Sequence, residues 1–319
     1  MSLEQTKAEG SASILFVTLG CAKNEVDTDR MRSLLLRAGY EEASEADEAD
    51  AVIVNTCSFL ASATSESIER TLELAEANTE GVRNRPIVMC GCVPSRYGDD
   101  LPAELPEVAA FVRADAEDGI VSVMDGVLGR ESAVPVAAGS SAGPLAEPLR
   151  TVEGASAYVK ISDGCDRFCS FCAIPYIRGR YASRPYAEIE SEVLALAKSG
   201  VREFVLIGQD TGIWGSDFEG DQTLAKLLRQ VAEVVRPYDG WVRVLYLQPE
   251  GMTDELIATI RDVNEVLPYI DIPIQHCSER VLASMGRSGS TEQLRGLFAR
   301  LRREIPGMVL RTTGMCGFP

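Results

Sequence analysis

The chain has little histidine, few basic residues and no long apolar run. Of its 319 residues only His276 is a histidine, so a zinc site built on imidazoles has almost nothing to use. No stretch approaches the ~20 consecutive apolar residues of a membrane-spanning helix. The opening MSLEQTKAEGSAS has no apolar centre of the kind a secretory signal needs. These absences read as a cytoplasmic protein with no membrane partner. Lys and Arg number 31 against 48 Asp and Glu, a net charge of −17. That balance argues against a surface built wholesale to grip nucleic acid and suits a basic protein partner. One local basic strip exists, DRFCSFCAIPYIRGRYASR, with Arg167, Arg178, Arg180 and Arg184. As residues of a loop, the last three read first as solvated.

What is present is enough chain for about two domains of ~100–200 residues each. The division falls at 131–152, ESAVPVAAGSSAGPLAEPLR, rich in Ala, Gly, Ser and Pro and without a period, read as a linker. Before it, within 1–130, SILFVTLG, DAVIVNT and RPIVMCG have the continuous apolar character of strands buried on both faces. Helical spacing over 26–38 and 62–78 separates them, which implies a small parallel α/β sheet. After it, within 153–319, ASAYVKIS, EFVLIGQ, RVLYLQ, YIDIPIQ and MVLRTT read as strands. Between them AEIESEVLALAKSG, LAKLLRQVAEVV, TDELIATIRDV and STEQLRGLFARLRREI read as amphipathic helices. The expected fold is α/β throughout, with an α/β barrel, open or closed, in the second domain.

Nine cysteines would stay reduced in a cytosolic chain, so clustered ones point to metal or catalysis before disulfides. Cys21, Cys57 and Cys92 each stand just past the carboxyl end of a different predicted strand, the rim where parallel sheets bind ligands. Singly, each is equally an ordinary small buried residue. Cys90 lies on its strand and reads as core. Cys165, Cys169 and Cys172 sit together in ISDGCDRFCSFCAIPYIRG, with no fourth cysteine or histidine nearby. Structural zinc takes four ligands, and a four-iron cluster ordinarily takes four thiolates. Three thiolates leave one iron open for a substrate or cofactor. The C-x3-C-x2-C spacing, with Phe171 before the last cysteine, is the pattern of the radical S-adenosylmethionine (SAM) superfamily.

Taken together, LGCAKNEVDTDRM, NTCSFLASATSESIE, GCVPSRY, KISDGCDRFCSFCAIPYIRGRYASRP and DIPIQHCSERVLASMGR resemble the methylthiotransferase family over nearly the whole chain. LGCAKN, NTCSF and DIPIQH are similar to the branch that modifies an aspartate of a ribosomal protein at the decoding centre. The tRNA-modifying branch more often carries GCQMN, NTCSIREKA and QSGS. The resemblance implies two 4Fe–4S clusters, one on Cys165, Cys169 and Cys172 with SAM at its open iron, the other on Cys21, Cys57 and Cys92 carrying the sulfur to be donated. It further implies SAM contacts from Phe171, Gly208, Gln209, Asp210, Gln275 and His276, and an electron donor of the flavodoxin or ferredoxin type. By the residues alone, these six are equally rim groups bonding loop backbone; His276 reads as a hydrogen-bonded rim residue rather than a metal ligand.

The chain departs from the family at its end. It stops at RTTGMCGFP where relatives continue GFPGET, complete the barrel and add a small TRAM-like domain, so an incomplete barrel is expected. GMC also replaces the usual apolar FIV, which leaves Cys316 without a family role. A tRNA methylthiotransferase is the near alternative, and a non-catalytic metal or redox protein the distant one.

Overall fold

The computed structural model describes residues 11–80, 84–130 and 154–319. The chain falls into two compact units, Met1–Ala142 and Gly143–Pro319. The expected linker at 131–152 lies outside the described residues.

In the first unit β1 (Ser13–Thr18), α1 (Ala22–Arg37), the short β2 (Glu41–Glu42), β3 (Ala51–Thr56), α2 (Ala61–Glu80), β4 (Ile87–Gly91), α3 (Cys92–Tyr97), α4 (Leu101–Glu104), β5 (Val108–Arg113) and α5 (Ile120–Leu128) follow one another. The strands pair in parallel in the order β2-β1-β3-β4-β5. β3 and β4 are buried along their whole length, which is why they read as unbroken apolar runs. The sequence reading missed β5 and α5; β5, VAAFVR, is the edge strand and buries only Val108 and Val112 fully. Helix α1 starts four residues before the expected boundary, with Cys21 at its N-cap and Asn24 Oδ1 reaching back to accept the Cys21 N–H at 3.5 Å.

The second unit runs β6 (Ser156–Lys160), β7 (Ser162–Asp163), α6 (Ile174–Ile177), β8 (Ala182–Ser183), α7 (Tyr186–Ser199), β9 (Glu203–Ile207), α8 (Leu224–Val235), β10 (Trp241–Val244), α9 (Asp254–Asp262), β11 (Val266–Asp271), α10 (Glu279–Ser284), α11 (Thr291–Glu304) and β12 (Val309–Arg311). Five of its strands pair in parallel in chain order, β6-β9-β10-β11-β12. This succession of βα units is the arc of a barrel. Each crossover helix packs an apolar stripe on the sheet; in α8, Leu224, Leu227, Leu228, Val231 and Val235 are all buried. Thr223, Thr253 and Ser290 cap α8, α9 and α11 with side-chain oxygens that accept backbone N–H bonds. The antiparallel β7-β8 pair joins Ser162 to Ser183 and Asp163 to Ala182, which ties together the two ends of the cysteine loop.

Candidate functional site

The first unit brings Cys21, Cys57 and Cys92 to one end of its sheet by topology. In the order 2-1-3-4-5 the direction in which strands are added reverses between β1 and β3, and the crevice at that switch is where such sheets bind ligands. Cys21 and Cys57 follow those two strands. Cys57 and Cys92 follow Thr56 and Gly91, which are paired residues of β3 and β4. Gly20 has φ +104°, and a Cβ there would lie 2.5 Å from Cys57 Cβ and 3.2 Å from Cys57 Sγ, so only glycine allows β1 to pass so close to Cys57.

Buried neutral groups hold this rim. Asn24 Nδ2 donates to Asn55 Oδ1 (3.1 Å) and Thr56 O (2.9 Å), and Asn55 Nδ2 returns bonds to Asn24 O and Thr28 Oγ1 (both 3.0 Å). Ser67 Oγ accepts the Cys57 N–H at 3.1 Å and donates to Cys57 O at 3.0 Å. Sequence reasoning missed Asn24, Asn55 and Ser67, although a polar Asn55 inside the apolar run AVIVNT was a visible signal. Cys90 is fully buried among the core residues, as expected, and burial pushes its thiol up. Cys92 opens α3, so strand alternation does not carry from Cys90 to Cys92.

In the second unit the loop after β7 carries Cys165 and Cys169, both buried, and the half-buried Cys172. Gly164, at φ +70°, takes the chain into the loop; a Cβ there would sit 2.0 Å from Arg180 O. Phe168, at φ 47°, adopts the left-handed region without being glycine. Cys165 N–H donates to Gly179 O (3.2 Å), Cys172 N–H to Cys169 O (2.9 Å) and Ser170 N–H to Met285 O (3.0 Å). Asp163 is the hub beneath the loop: it accepts from Lys160 Nζ (2.9 Å), Gly164 N (2.9 Å), Gln209 Nε2 (2.8 Å) and Arg178 Nη1 (3.4 Å). The Lys160 and Arg178 cations hold its carboxyl well below the usual carboxylate range, against the opposing effect of burial. Arg167 pairs with the buried Asp210 and, at 3.3 Å, with Glu250; burial still pushes the Asp210 carboxyl up.

The arginine strip is therefore solvated only at Arg180. Arg178 is buried, Arg184 pairs with Glu192 at 2.6 Å and donates to Lys160 O at 2.8 Å, and Arg180 keeps most of its side chain exposed. Arg178 and Arg184 were misread because their partners lie on neighbouring strands and helices, whereas Arg180 is solvated as read. Arg287, also missed, places Nε 3.4 Å from Cys169 Sγ and stacks its guanidinium 5.8 Å from the Phe171 ring centre.

The predicted polar residues stand at successive strand ends. Gly208, Gln209 and Asp210 follow β9, and Gly208 has no room for a side chain because a Cβ would meet Ser162 Oγ at 2.4 Å. Gln209 and Asp210 are joined to the cysteine loop through Asp163 and Arg167. Gln275, at φ 65°, and His276 follow β11 and line a cavity with Phe318, whose ring meets Phe171 edge-on at 6.4 Å. His276 Nδ1 accepts the Ser278 N–H at 2.9 Å.

The donor set fits a cluster with an open iron. Burial pushes the Cys165 and Cys172 thiols up and their neighbouring thiols push further, so three thiolates here call for a positive partner beyond Arg287. The buried Gln209 Oε1 has no hydrogen-bond partner among the described residues. Among those residues no three His, Cys, Asp or Glu side chains converge tightly enough for a single ion, whereas a cubane spreads its thiolates over separate irons.

A three-thiol loop at the rim of a parallel βα arc, with polar groups at the following strand ends, defines a radical SAM enzyme, and residues 159–319 match the radical SAM superfamily. Residues 13–113 match the uncharacterized protein family UPF0004. In fold, 97% of the chain overlays 70% of the radical SAM methyltransferase TsrM from Kitasatospora setae, with TM-score 0.69 and 16% identity. The ribosomal protein uS12 methylthiotransferase RimO of Pelobacter propionicus is 41% identical over 96% of this chain and 68% of its own length. That of Lachnoclostridium phytofermentans is 39% identical over 96% and 69%. The chain belongs to the RimO methylthiotransferase family. It is accordingly an enzyme whose cofactors are a 4Fe–4S cluster and SAM. Among the described residues, no helix is long and apolar enough to cross a membrane.

Proposed function

We propose that this chain transfers a methylthio group to the β-carbon of an aspartate in ribosomal protein uS12, in the cytoplasm, with electrons from a flavodoxin- or ferredoxin-type donor. The observation that carries the reading is the loop presenting Cys165, Cys169 and Cys172 with no fourth cysteine or histidine near them in sequence. Cys21, Cys57 and Cys92 hold a second cluster at the switch point of the first sheet. When bound, the loop cluster with SAM supplies a radical able to take hydrogen from an unactivated carbon, and the second cluster supplies sulfur.

The chain's own residues prepare this chemistry. Asp163 and Arg167 fix the loop through Lys160, Arg178, Gln209 and Asp210, so the thiols are placed before cofactor arrives. Gln209 offers a buried carbonyl oxygen to a cationic amine such as that of SAM. Gly208 lets the end of β9 lie against Ser162, where a side chain would clash, and Gln275 and His276 line a cavity with Phe318, whose ring meets Phe171 edge-on. The net charge of −17 favours encounter with a basic protein substrate.

The test is a pair of triple cysteine variants, reconstituted anaerobically with iron and sulfide and supplied with SAM and a strong reductant. Wild type should bind about eight irons and each variant about half of that. Cys165/Cys169/Cys172→Ala should abolish 5′-deoxyadenosine, whereas Cys21/Cys57/Cys92→Ala should keep forming it while methylthiolating no uS12. If the second variant stays folded and loaded yet makes no 5′-deoxyadenosine, the division of labour fails.

A further inference from the structure

Two surface thiols remain outside both triads. Cys277 and Cys316 are exposed, in contrast to the buried Cys90. Both line one cavity of about 550 Å³, which also includes Ile274, His276, Met315 and Phe318 but no Asp, Glu, Lys or Arg. The sheet brings their backbones together. Past β11 and β12 a further parallel bridge joins Gln275 to Gly314, closed by Gln275 N–H to Thr313 O at 2.9 Å and Met315 N–H to Gln275 O at 2.6 Å. Cys277 and Cys316 each stand two residues beyond that bridge, at the same offset. Adjacent chains run ~4.8 Å apart at such a bridge, and both thiols open on the one cavity beyond it, where a disulfide would need Cα atoms ~4.4–6.8 Å apart.

Their immediate surroundings are built. Thr291 Oγ1 donates to Cys277 O at 2.7 Å, and the His276 turn is fixed by Ser278 N–H on Nδ1. With no acidic ligand and no third donor converging, the pair suits a two-sulfur link better than an ion.

We infer that Cys277 and Cys316 form a redox-active dithiol that closes to a disulfide by exchange with a low-molecular-weight disulfide and, when closed, weakens SAM binding at the adjoining Gln275–His276 edge. The chemistry is two exchanges. One protein thiolate attacks the external disulfide, forming a mixed disulfide and releasing one small thiolate. The second protein thiolate then attacks the protein sulfur of that mixed disulfide and expels the other. Two electrons pass from the protein to the external disulfide, and the protons from the two protein thiols end on the two released small thiols. The effect on SAM rests on the proposed role of Gln275 and His276; the dithiol itself does not.

The 319-residue chain, loaded with cluster under anaerobic conditions, is incubated with oxidised glutathione, alkylated, digested and mapped by mass spectrometry beside Cys277→Ser and Cys316→Ser. Both positions are exposed, so the variants should fold. Wild type should yield a cross-linked peptide joining Cys277 to Cys316 that dithiothreitol removes, while each variant carries glutathione on its surviving thiol. Glutathione adducts on both wild-type thiols without a link, or no reaction at either, would overturn the proposal. SAM affinity of the linked wild type should fall roughly tenfold and return on reduction. A link that leaves affinity unchanged refutes the control. Reduced protein that binds no SAM refutes the SAM reading instead, and the peptide map still decides the dithiol.

Discussion

The two cysteine triads are placed by opposite structural routes. In the first unit the thiols come from three strand ends, and the order of strands brings them to one end of the sheet; the bonds that brace them are mostly neutral, from two buried amides with threonine and serine hydroxyls, with Arg96 donating to Ser58 O at 2.6 Å. In the second unit one loop carries all three, and no strand order shapes a loop. It is shaped by charge, through Asp163 with Lys160 and Arg178 and through Arg167 with Asp210, and by left-handed backbone at Gly164 and Phe168. Where topology does the gathering, mostly neutral bonds suffice. Where a short segment must gather its own ligands, stronger and more directional interactions are needed.

The sharpest way to break the contrast is through the loop's entry. Gly164→Ala would drive a Cβ to 2.0 Å from the Arg180 carbonyl, so the loop cluster should be lost, about half the iron with it. The second unit should lose at least about 3 kcal/mol of stability by the combined clash and left-handed backbone. Gly179→Ala, at a similar φ of +74° but with nothing near, should cost only about 1 kcal/mol and keep its iron. Urea unfolding followed by tryptophan fluorescence reads this unit selectively, because both tryptophans, Trp214 and Trp241, lie in it. Equal effects at the two glycines would show that the loop is not shaped as described.

A smaller effect separates charge from neutral bonding. Arg167→Met leaves Asp210 buried without its cation and should cost about 3–5 kcal/mol in the second unit, with part recovered in Arg167→Met/Asp210→Leu. Asn55→Ala strands only neutral partners and should cost about 1–3 kcal/mol in the first, measured by hydrogen exchange of its peptides. If Asn55→Ala proved the costlier, the neutral rim would be the more demanding of the two.

The smallest effect is one of pH. Burial, with Glu190 adding to it, pushes the Tyr186 phenol in the second unit up to about 12. The raised phenol contributes stability that is intact below its unfolded value of ~10 and is lost as pH rises from there towards about 12. Tyr186→Phe should flatten that part of the fluorescence-monitored stability profile; an unchanged slope would remove Tyr186 from the account.

Much of the molecule was legible before folding. Continuous apolar runs gave the parallel strands because strands covered on both faces need no polar positions, and the cysteine spacing pointed to the superfamily because three cysteines on one short loop are neighbours in sequence. Among the elements that escaped, β5 is an edge strand only partly buried, and α5 and α10 are short helices. Arg178 and Arg184 read as surface because a charge buried by its partners cannot be told from an exposed one until the partners are placed.

By itself, then, the sequence determined the strands, the amphipathic helices and the three-thiol loop, all of them local patterns of polarity and spacing. Only the tertiary structure decided that Cys21, Cys57 and Cys92 share one sheet end, that Asn24 and Asn55 brace it, that Asp163 and Arg167 tie the loop to β9, and that Cys277 and Cys316 face one cavity. Such convergence depends on strand order and register, and these are set by how whole elements bury their apolar faces together.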